Sequence, residues 1–235
     1  MRSFTLLTLA ICFWLATPVL NVKNESHVLP KGGERVSGTD PENNANLIPA
    51  ATNRYRLDAS QSKFTAHALA GGLLWFKGHD HLIAIRDFTG EAQLTPNSIT
   101  PASLQIIAKA ASMVETSDVF TEPQKQIINK ELREIVLHPD QYPEITFRST
   151  SVTGKSISST EYDLKITGDL TLHGVTRQIK IPTKITVMDN KLRAQGEFSI
   201  NRGDFKVKAT SAVHGLVRVR RKVKFTFDIV GHQQR

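Results

Sequence analysis

Residues 162–182 alternate between apolar and polar side chains, and this pattern constrains the fold more than any other in the sequence. Apolar residues hold even positions up to Leu172, and after Gly174 they hold odd ones. A period of two is typical of a half-buried β-strand, and a change of parity at a glycine is typical of a tight hairpin. We therefore predict two antiparallel strands joined by a His173-Gly174 turn, with Leu172 opposite Val175.

The same alternation recurs along the chain and predicts about eight strands in all. The other alternating segments are 64–68, 88–94, 104–110, 145–149, 192–200 and 217–229. One-sided alternation indicates antiparallel strands that share a core on one face and meet water on the other. A closed barrel and a sandwich both fit this pattern, and a barrel would remove the exposed edges of the sheet.

Two segments depart from the alternation. In residues 122–137 the apolar side chains recur at helical spacing, and residues 121–124 have the pattern of a capping box with proline in the first turn. One helix is therefore predicted to interrupt the strands. The run from Leu73 to Phe76 is apolar at every position, so its periodicity does not distinguish a helix from a strand.

The chain divides into three segments by composition. Residues 1–20 begin with a basic residue and are then apolar, which predicts a signal peptide, with a retained membrane anchor as the alternative. Residues 21–54 are rich in Asn, Ser, Gly and Pro, so we expect a flexible linker before a barrel domain at 55–235. The protein is expected in the periplasm or secreted, or held at a membrane by its uncleaved N-terminus. Cys12 is the only cysteine, so the domain has no thiol for a disulfide, a nucleophile or a metal.

The net charge of the chain and the motifs it lacks limit the classes of function that fit the sequence. The formal net charge is +8, and a basic domain attracts anionic headgroups, phosphates or nucleic acid. The last predicted strand has a basic face formed by Arg218, Arg220, Lys222 and Lys224, which either contacts an anionic membrane surface transiently or is simply solvated. No nucleic-acid-binding motif is present, so no such partner is expected. Nucleophile-elbow, zinc-protease, P-loop and dinucleotide motifs are also missing from the sequence, so we expect a non-enzyme.

Four segments, in this order along the chain, resemble the YceI-like family over about residues 55–230. The segments are the first strand at 55–58, the strand after the helix at 142–149, the hairpin at 168–176 and the Asn-Arg-Gly-Asp-Phe motif at 201–205. The sequence departs from the family pattern at three places. Gln61 stands where many members have His, Lys206 replaces the usual Gly, and residues 135–138 replace an acidic-aromatic segment near the expected ligand entrance.

The resemblance implies an all-β fold, namely an antiparallel, roughly eight-stranded lipocalin-like barrel with one short α-helix inserted between strands. It also implies that the lumen binds a polyisoprenoid or a similar long amphiphilic or quinone-like lipid, and that the protein has no other cofactor. A solid core filled by the same side chains is the alternative. The apolar residues predicted to line the lumen are Phe64, Phe88, Ile106, Phe147, Leu164, Leu170, Phe198, Phe225 and Phe227.

Polar side chains offer two further hypotheses. Arg202 either binds the headgroup of the lipid, as a pyrophosphate or a quinone carbonyl, or pairs with a carboxylate such as Asp204. His79 and His81 point the same way on a strand, and His67 on a neighbouring strand could complete a metal site. A His-dependent metal-binding module is therefore the first rival function, and a hydrogen-bonded turn at the barrel mouth is the alternative for these residues. A ligand-free envelope interaction protein is the second rival function.

Overall fold

The computed structural model describes residues 51–212 and 216–235, with the side chains of residues 211–212 left out. The predicted signal or anchor at 1–20 and nearly all of the predicted linker lie outside the described residues. The strands in chain order are β1 (Asn53–Ala68), β2 (Ala70–Gly71), β3 (His81–Ile85), β4 (Phe88–Leu94), β5 (Ala102–Lys109), β6 (Met113–Glu115), β7 (Glu144–Ser156), β8 (Glu161–Leu172), β9 (Val175–Met188), β10 (Lys191–Asn201), β11 (Ser211–Ala212), β12 (Val217–Val219) and β13 (Lys222–Gln233).

Eight of these strands close an antiparallel barrel in the order β1-β13-β10-β9-β8-β7-β5-β4. The barrel closes because β1 pairs with β13 along one edge and with β4 through residues 53–56 on the other. Beyond that point the same edge of β1 pairs with β3 through residues 65–68, and β3 pairs with β6. The predicted all-β barrel with one helix is confirmed.

The predicted hairpin is present with the predicted register. Leu172 lies opposite Val175, and Ile166 lies opposite Ile181 on β8 and β9. The two turn residues both have positive φ, 51° at His173 and 71° at Gly174. A Cβ atom at Gly174 would lie 2.7 Å from the Tyr142 ring, so the position requires glycine for both conformation and space.

The helix begins and ends where the sequence predicts. Helix α1 (Glu122–Glu131) continues directly into a π-helical segment, Leu132–Leu137. The backbone N–H of Thr121 donates to Oε1 of Gln124 at 2.8 Å, as a capping box requires. His138 follows with a left-handed φ of 47°, which ends the segment. In the part of the chain that the structure describes, no helix has the length and apolar character needed to span a bilayer.

One predicted strand is wrong in extent. The sequence predicts a single last strand over 217–229, whereas the structure divides it into β12 and β13. β12 joins β2 and β11 in a separate three-stranded sheet outside the barrel. The break falls at residues 220–221, where the backbone leaves the barrel register of β10 and β13 after the pair Asn201–Lys222.

The strand registers define two ends of the barrel. Asn53, the turn at 157–160 and the turn at 189–190 meet at one end, which we call the lower end. The His173-Gly174 turn, the start of β7 and the end of β10 meet at the other, the upper end. Helix α1 and the small sheet both connect to strands at the upper end. The remaining short elements are the 3₁₀ turns Trp75–Lys77, Ala110–Ser112 and Arg202–Phe205.

Candidate functional site

A cavity of about 260 Å³ runs through the barrel. All eight barrel strands contribute side chains to its lining, and nearly all of these are apolar. Helix α1 and the π-helical segment add Ile128, Leu132, Val136 and Leu137. Pockets for small molecules in proteins hold roughly 300–1,000 Å³, so this lumen suits a slender apolar chain and excludes a bulky ligand.

The structure places nine of the ten predicted lumen residues in the lining of the cavity. They are Phe64, Ile106, Phe147, Leu164, Leu170, Phe198, Arg202, Phe225 and Phe227. The tenth, Phe88, is buried but does not line the cavity. Its ring packs edge-to-face against Phe64, with 6.2 Å between the ring centroids, and so supports the wall from behind.

Aromatic rings form one side of the lumen, where β1, β13 and β10 are neighbours. Phe198 stacks on Phe225 with 5.0 Å between centroids and 8° between ring planes. Phe64 contacts both Phe225 and Phe227 at 6.2 and 6.4 Å. Such rings present polarisable faces to a bound chain, in addition to their large apolar area.

Small residues keep the lumen open, and the sequence reasoning missed them. A Cβ atom at Gly168 would lie 2.6 Å from Cζ of Phe147, and one at Gly196 would lie 2.7 Å from Cζ of Phe227. The tip of each phenyl ring therefore occupies space that a side chain on the neighbouring strand would otherwise fill. Small residues at the inward positions of the alternation were the signal that could have shown this. The cavity is also lined by Ala66, Ala68, Ala92, Ala102, Ala108 and Ala194.

The two ends of the lumen differ in polarity. Arg202, Lys208, Thr210, His81 and Glu131 line the cavity and lie on segments at the upper end. At the lower end the cavity is lined by uncharged side chains, among them Leu94, Leu192, Gln93 and Ser103. A ligand with one polar end would therefore place that end at the upper side of the barrel.

Arg202 is held by backbone carbonyls and not by the carboxylate that was predicted as its alternative partner. Its guanidinium donates to three backbone carbonyls, those of Val207 at 2.9 Å, Arg220 at 3.3 Å and Val219 at 3.4 Å. It forms no ion pair with Asp204. Burial, and then the charges of Arg221 and Arg218, lower the pKa of Arg202. A guanidinium has five N–H donors, so the three carbonyls leave two of them for a ligand.

The three histidines of the metal hypothesis have other partners. His67 hydrogen-bonds through Nε2 to Oγ1 of Thr226 at 2.9 Å. The other two contact the ring of Phe120. His79 packs edge-to-face on it with 5.6 Å between ring centroids, and His81 stacks on it with 5.2 Å between centroids. Within residues 51–212 and 216–235, no group of three His, Cys, Asp or Glu side chains is placed to hold a metal ion.

Glu115 is a buried polar residue that the sequence reasoning missed. Its carboxylate accepts from Nδ1 of His81 at 2.7 Å and from the backbone N–H groups of Leu82 and Ser117 at 3.1 and 2.8 Å. Burial raises the pKa of Glu115, and these hydrogen bonds together with the charge of His81 lower it by more, so the pKa lies below its usual value. His81 is thereby fixed where it lines the lumen.

Comparison with known proteins identifies the family of this chain. The model of the YceI-like domain matches residues 55–231. The chain belongs to the YceI-like family. Protein YceI of Escherichia coli O17:K52:H18 (strain UMN026 / ExPEC) is 31% identical over 143 residues, which cover 60% of this chain and 68% of that protein.

Two solved structures share the YceI-like barrel. BcnA of Burkholderia cenocepacia has a TM-score of 0.58 and 20% identity, over 74% of this chain and 98% of that one. A polyisoprenoid binding domain from Saccharophagus degradans implicated in plant cell wall breakdown has a TM-score of 0.54 and 15% identity, over 77% and 98%. At these identities the likeness shows the fold, so what the lumen of this YceI-like barrel binds is inferred from its own geometry.

Proposed function

We propose that this YceI-like protein is an exported, non-enzymatic carrier that holds a polyisoprenoid or a similar long amphiphilic lipid in the barrel lumen. The observation that carries the proposal is the apolar cavity, lined from every barrel strand, with its charged lining residues at the upper end. The related polyisoprenoid binding domain from Saccharophagus degradans supports the choice of ligand class. Export is supported by the signal-like character of residues 1–20.

The energetics favour a chain-shaped ligand. Each methylene that leaves water for the lumen contributes roughly 0.8 kcal/mol, so one five-carbon unit contributes a gross few kcal/mol. Ordering a flexible chain offsets much of this gain. A branched, unsaturated chain has fewer rotatable bonds per carbon than a saturated one, so it loses less entropy when it is bound. The aromatic side of the lumen, with Phe198 stacked on Phe225, also suits its double bonds.

Arg202 is the proposed contact for the polar end of the lipid. It lines the lumen at the upper end and has two N–H donors beyond those used by backbone carbonyls. Lys208 also lines the cavity there. A pyrophosphate would accept from both side chains, and a quinone carbonyl would accept from one.

Substitution by tryptophan separates an open lumen from a solid core. Phe198→Trp and Phe147→Trp add volume to the lining of the cavity, and Phe88→Trp adds the same volume to packed core outside it. In an open lumen the first two variants keep most of their stability and lose affinity for a fluorescent isoprenoid. The control Phe88→Trp loses about 1–3 kcal/mol of stability through overpacking.

Chemical denaturation measures the stability of all three variants, and titration with the fluorescent isoprenoid measures their affinity. Equal destabilisation in all three variants, with no isoprenoid bound by the wild type, would show that the interior is a solid core. That result would remove the carrier function.

A further inference from the structure

An exposed apolar loop projects from the upper end of the barrel. Three of the four residues from Leu73 to Phe76 are exposed, with relative exposures of 75% for Leu73, 56% for Trp75 and 63% for Phe76. The apolar run that periodicity left unassigned is therefore a surface feature. Contiguous exposed apolar residues of this kind mark interaction sites, and tryptophan is one of the side chains enriched at the boundary between water and lipid.

Backbone hydrogen bonds hold the loop in this projecting position. The N–H of Leu74 donates to the carbonyl of Leu216 at 3.0 Å, and the N–H of Gly78 donates to the carbonyl of Trp75 at 3.0 Å. The side chain of Asp80 accepts from the N–H of Ala70 at 2.8 Å. Hydrogen bonds thus join the loop to Leu216, next to β12, and to Ala70 of β2, and its apolar side chains are exposed to solvent.

Basic side chains surround the loop. A surface pocket beside it is lined by the backbone of Gly71 and Gly72 and by four arginines, Arg202, Arg218, Arg220 and Arg221. Arg220 reaches across the base of the loop and donates from Nε to the carbonyl of Ala70 at 2.9 Å. Lys77 adds a fifth positive charge within the loop. Asp204 is the one carboxylate among the residues that line this pocket, so the pocket carries four arginines against one acidic side chain.

The loop also lies at the polar end of the lumen. Arg202 and Val219 line both the lumen and the arginine pocket, so the two cavities adjoin at these residues. Gly71 of the loop base pairs with Arg218 on β12. A membrane that contacts the loop would therefore face the end of the barrel where the headgroup of a lumen lipid is expected.

We propose that Leu73, Trp75 and Phe76, together with Lys77 and Arg218, form a docking surface for an anionic lipid bilayer. The apolar side chains enter the interface, and the cations contact phosphate headgroups. The inference rests on the proposed carrier function for its purpose, because docking places the lumen where a lipid is exchanged. It differs from the sequence prediction of a basic strand face, since Arg218 and Arg220 lie outside the barrel beside the loop.

The fluorescence of Trp75 tests docking directly in the full chain. In a Trp14→Phe background Trp75 is the only tryptophan, so its emission reports the loop even where the apolar N-terminal segment also binds lipid. With vesicles of equal parts phosphatidylglycerol and phosphatidylcholine, we expect the emission to shift to the blue and to be quenched by brominated acyl chains. With phosphatidylcholine alone, quenching is expected to be weaker.

Variants assign the contributions of the loop and of the charges. Leu73→Ser with Phe76→Ser is expected to reduce quenching at a given lipid concentration by roughly tenfold per side chain. Lys77→Gln with Arg218→Gln is expected to reduce it by roughly fivefold per charge, with anionic vesicles only. Ile157→Ser, an equally exposed apolar residue at the lower end, is the control and is expected to change nothing.

Three results would overturn the docking surface. The first is emission of Trp75 that vesicles leave unchanged. The second is a dimer that forms without lipid and dissociates in the Leu73→Ser, Phe76→Ser variant, which would make a second copy the occupant. The third is a Trp75 that is already shielded in the vesicle-free full chain and loses this shielding when residues 1–50 are cleaved, which would make the chain's own N-terminus the occupant.

A separate titration keeps the docking surface and the carrier function apart. The Leu73→Ser, Phe76→Ser variant is expected to bind a fluorescent isoprenoid in detergent-free buffer as the wild type does. A wild type that inserts Trp75 but binds no isoprenoid retains the docking surface and loses the carrier function. A wild type that binds isoprenoid but does not insert Trp75 into vesicles retains the carrier function and overturns the docking surface.

Discussion

His81 donates from Nδ1 to Oε2 of Glu115 at 2.7 Å, and the side chain of Glu115 is fully buried. A buried carboxylate is stable only when it is well hydrogen-bonded, and here the backbone N–H groups of Leu82, Thr116 and Ser117 also donate to it. We expect Glu115→Gln to lower the free energy of unfolding by about 1–3 kcal/mol at neutral pH. Chemical denaturation measures this, with Glu197→Gln, an exposed carboxylate near Lys224, as the control. Equal free energies of unfolding for Glu115→Gln and Glu197→Gln would contradict this prediction.

The same carboxylate gives a pH dependence with a definite sign. The pKa of Glu115 is lower in the folded protein than in the unfolded chain, because its hydrogen bonds and the charge of His81 outweigh the effect of burial. Its contribution to stability is therefore complete above the unfolded pKa of about 4.3. It is lost as the pH falls from there through the folded pKa. We expect the free energy of unfolding of Glu115→Gln to fall less steeply than that of the wild type in this acidic range.

Gly174 is predicted to resist replacement because of its position in the turn of the central hairpin. Its φ is 71°, and any Cβ atom there would press against the ring of Tyr142. Gly174→Val is expected to cost about 1–3 kcal/mol from backbone strain alone. Gly203→Val is the control, because only Oδ1 of Asn201, at 3.3 Å, approaches a Cβ atom there. A denaturation midpoint equal to that of the wild type would contradict the turn geometry.

Lys206 occupies a backbone conformation that favours glycine. Its φ is 57°, its side chain is exposed, and its N–H closes the 3₁₀ turn by donating to the carbonyl of Gly203 at 3.0 Å. Lys206→Gly is expected to raise the free energy of unfolding by about 1 kcal/mol, because glycine adopts positive φ without strain. Asn97→Gly, at a φ of 58°, is expected to gain less, since asparagine tolerates this region. Thermal denaturation that ranks the two variants in reverse would be inconsistent with this explanation.

Arg202 is predicted to have a structural role besides any role in binding. Its guanidinium bonds three carbonyls that lie on two separate segments, and a lysine ammonium cannot reproduce that planar fork. We expect Arg202→Lys to lower the free energy of unfolding by about 1–3 kcal/mol. The neighbouring Arg221 is exposed, and Arg221→Lys should be neutral in the same measurement.

The sequence predicts the barrel well because one-sided alternation is a local property of each strand. The hairpin register follows from a single change of parity at Gly174, and the structure has that register. The break in the last strand could not be predicted in this way, because Val217, Val219 and Val223 share one parity. The break depends on Arg202, distant in sequence, whose backbone N–H and side chain bond the carbonyls of residues 219–221.

The site was predicted less completely than the fold, for a physical reason. Parity identifies which side chains face inward, and all but Phe88 of those chosen line the cavity. Whether an inward-facing set leaves an open lumen depends on contacts between strands, such as the ring of Phe147 lying over Gly168. The bond between His81 and Glu115 joins residues that are 34 positions apart, and no local pattern indicates it.

Native mass spectrometry of the full chain, purified without added lipid, shows whether the lumen carries a lipid. We expect one lipid bound per chain, released on denaturation, with masses of the series separated by one isoprene unit. Phe198→Trp should reduce the bound fraction, and Phe88→Trp should not, because only Phe198 lines the lumen. A wild-type chain at its bare mass that takes up no added isoprenoid, or one that carries a stoichiometric metal ion lost in His79→Ala with His81→Ala, would rule out the carrier function.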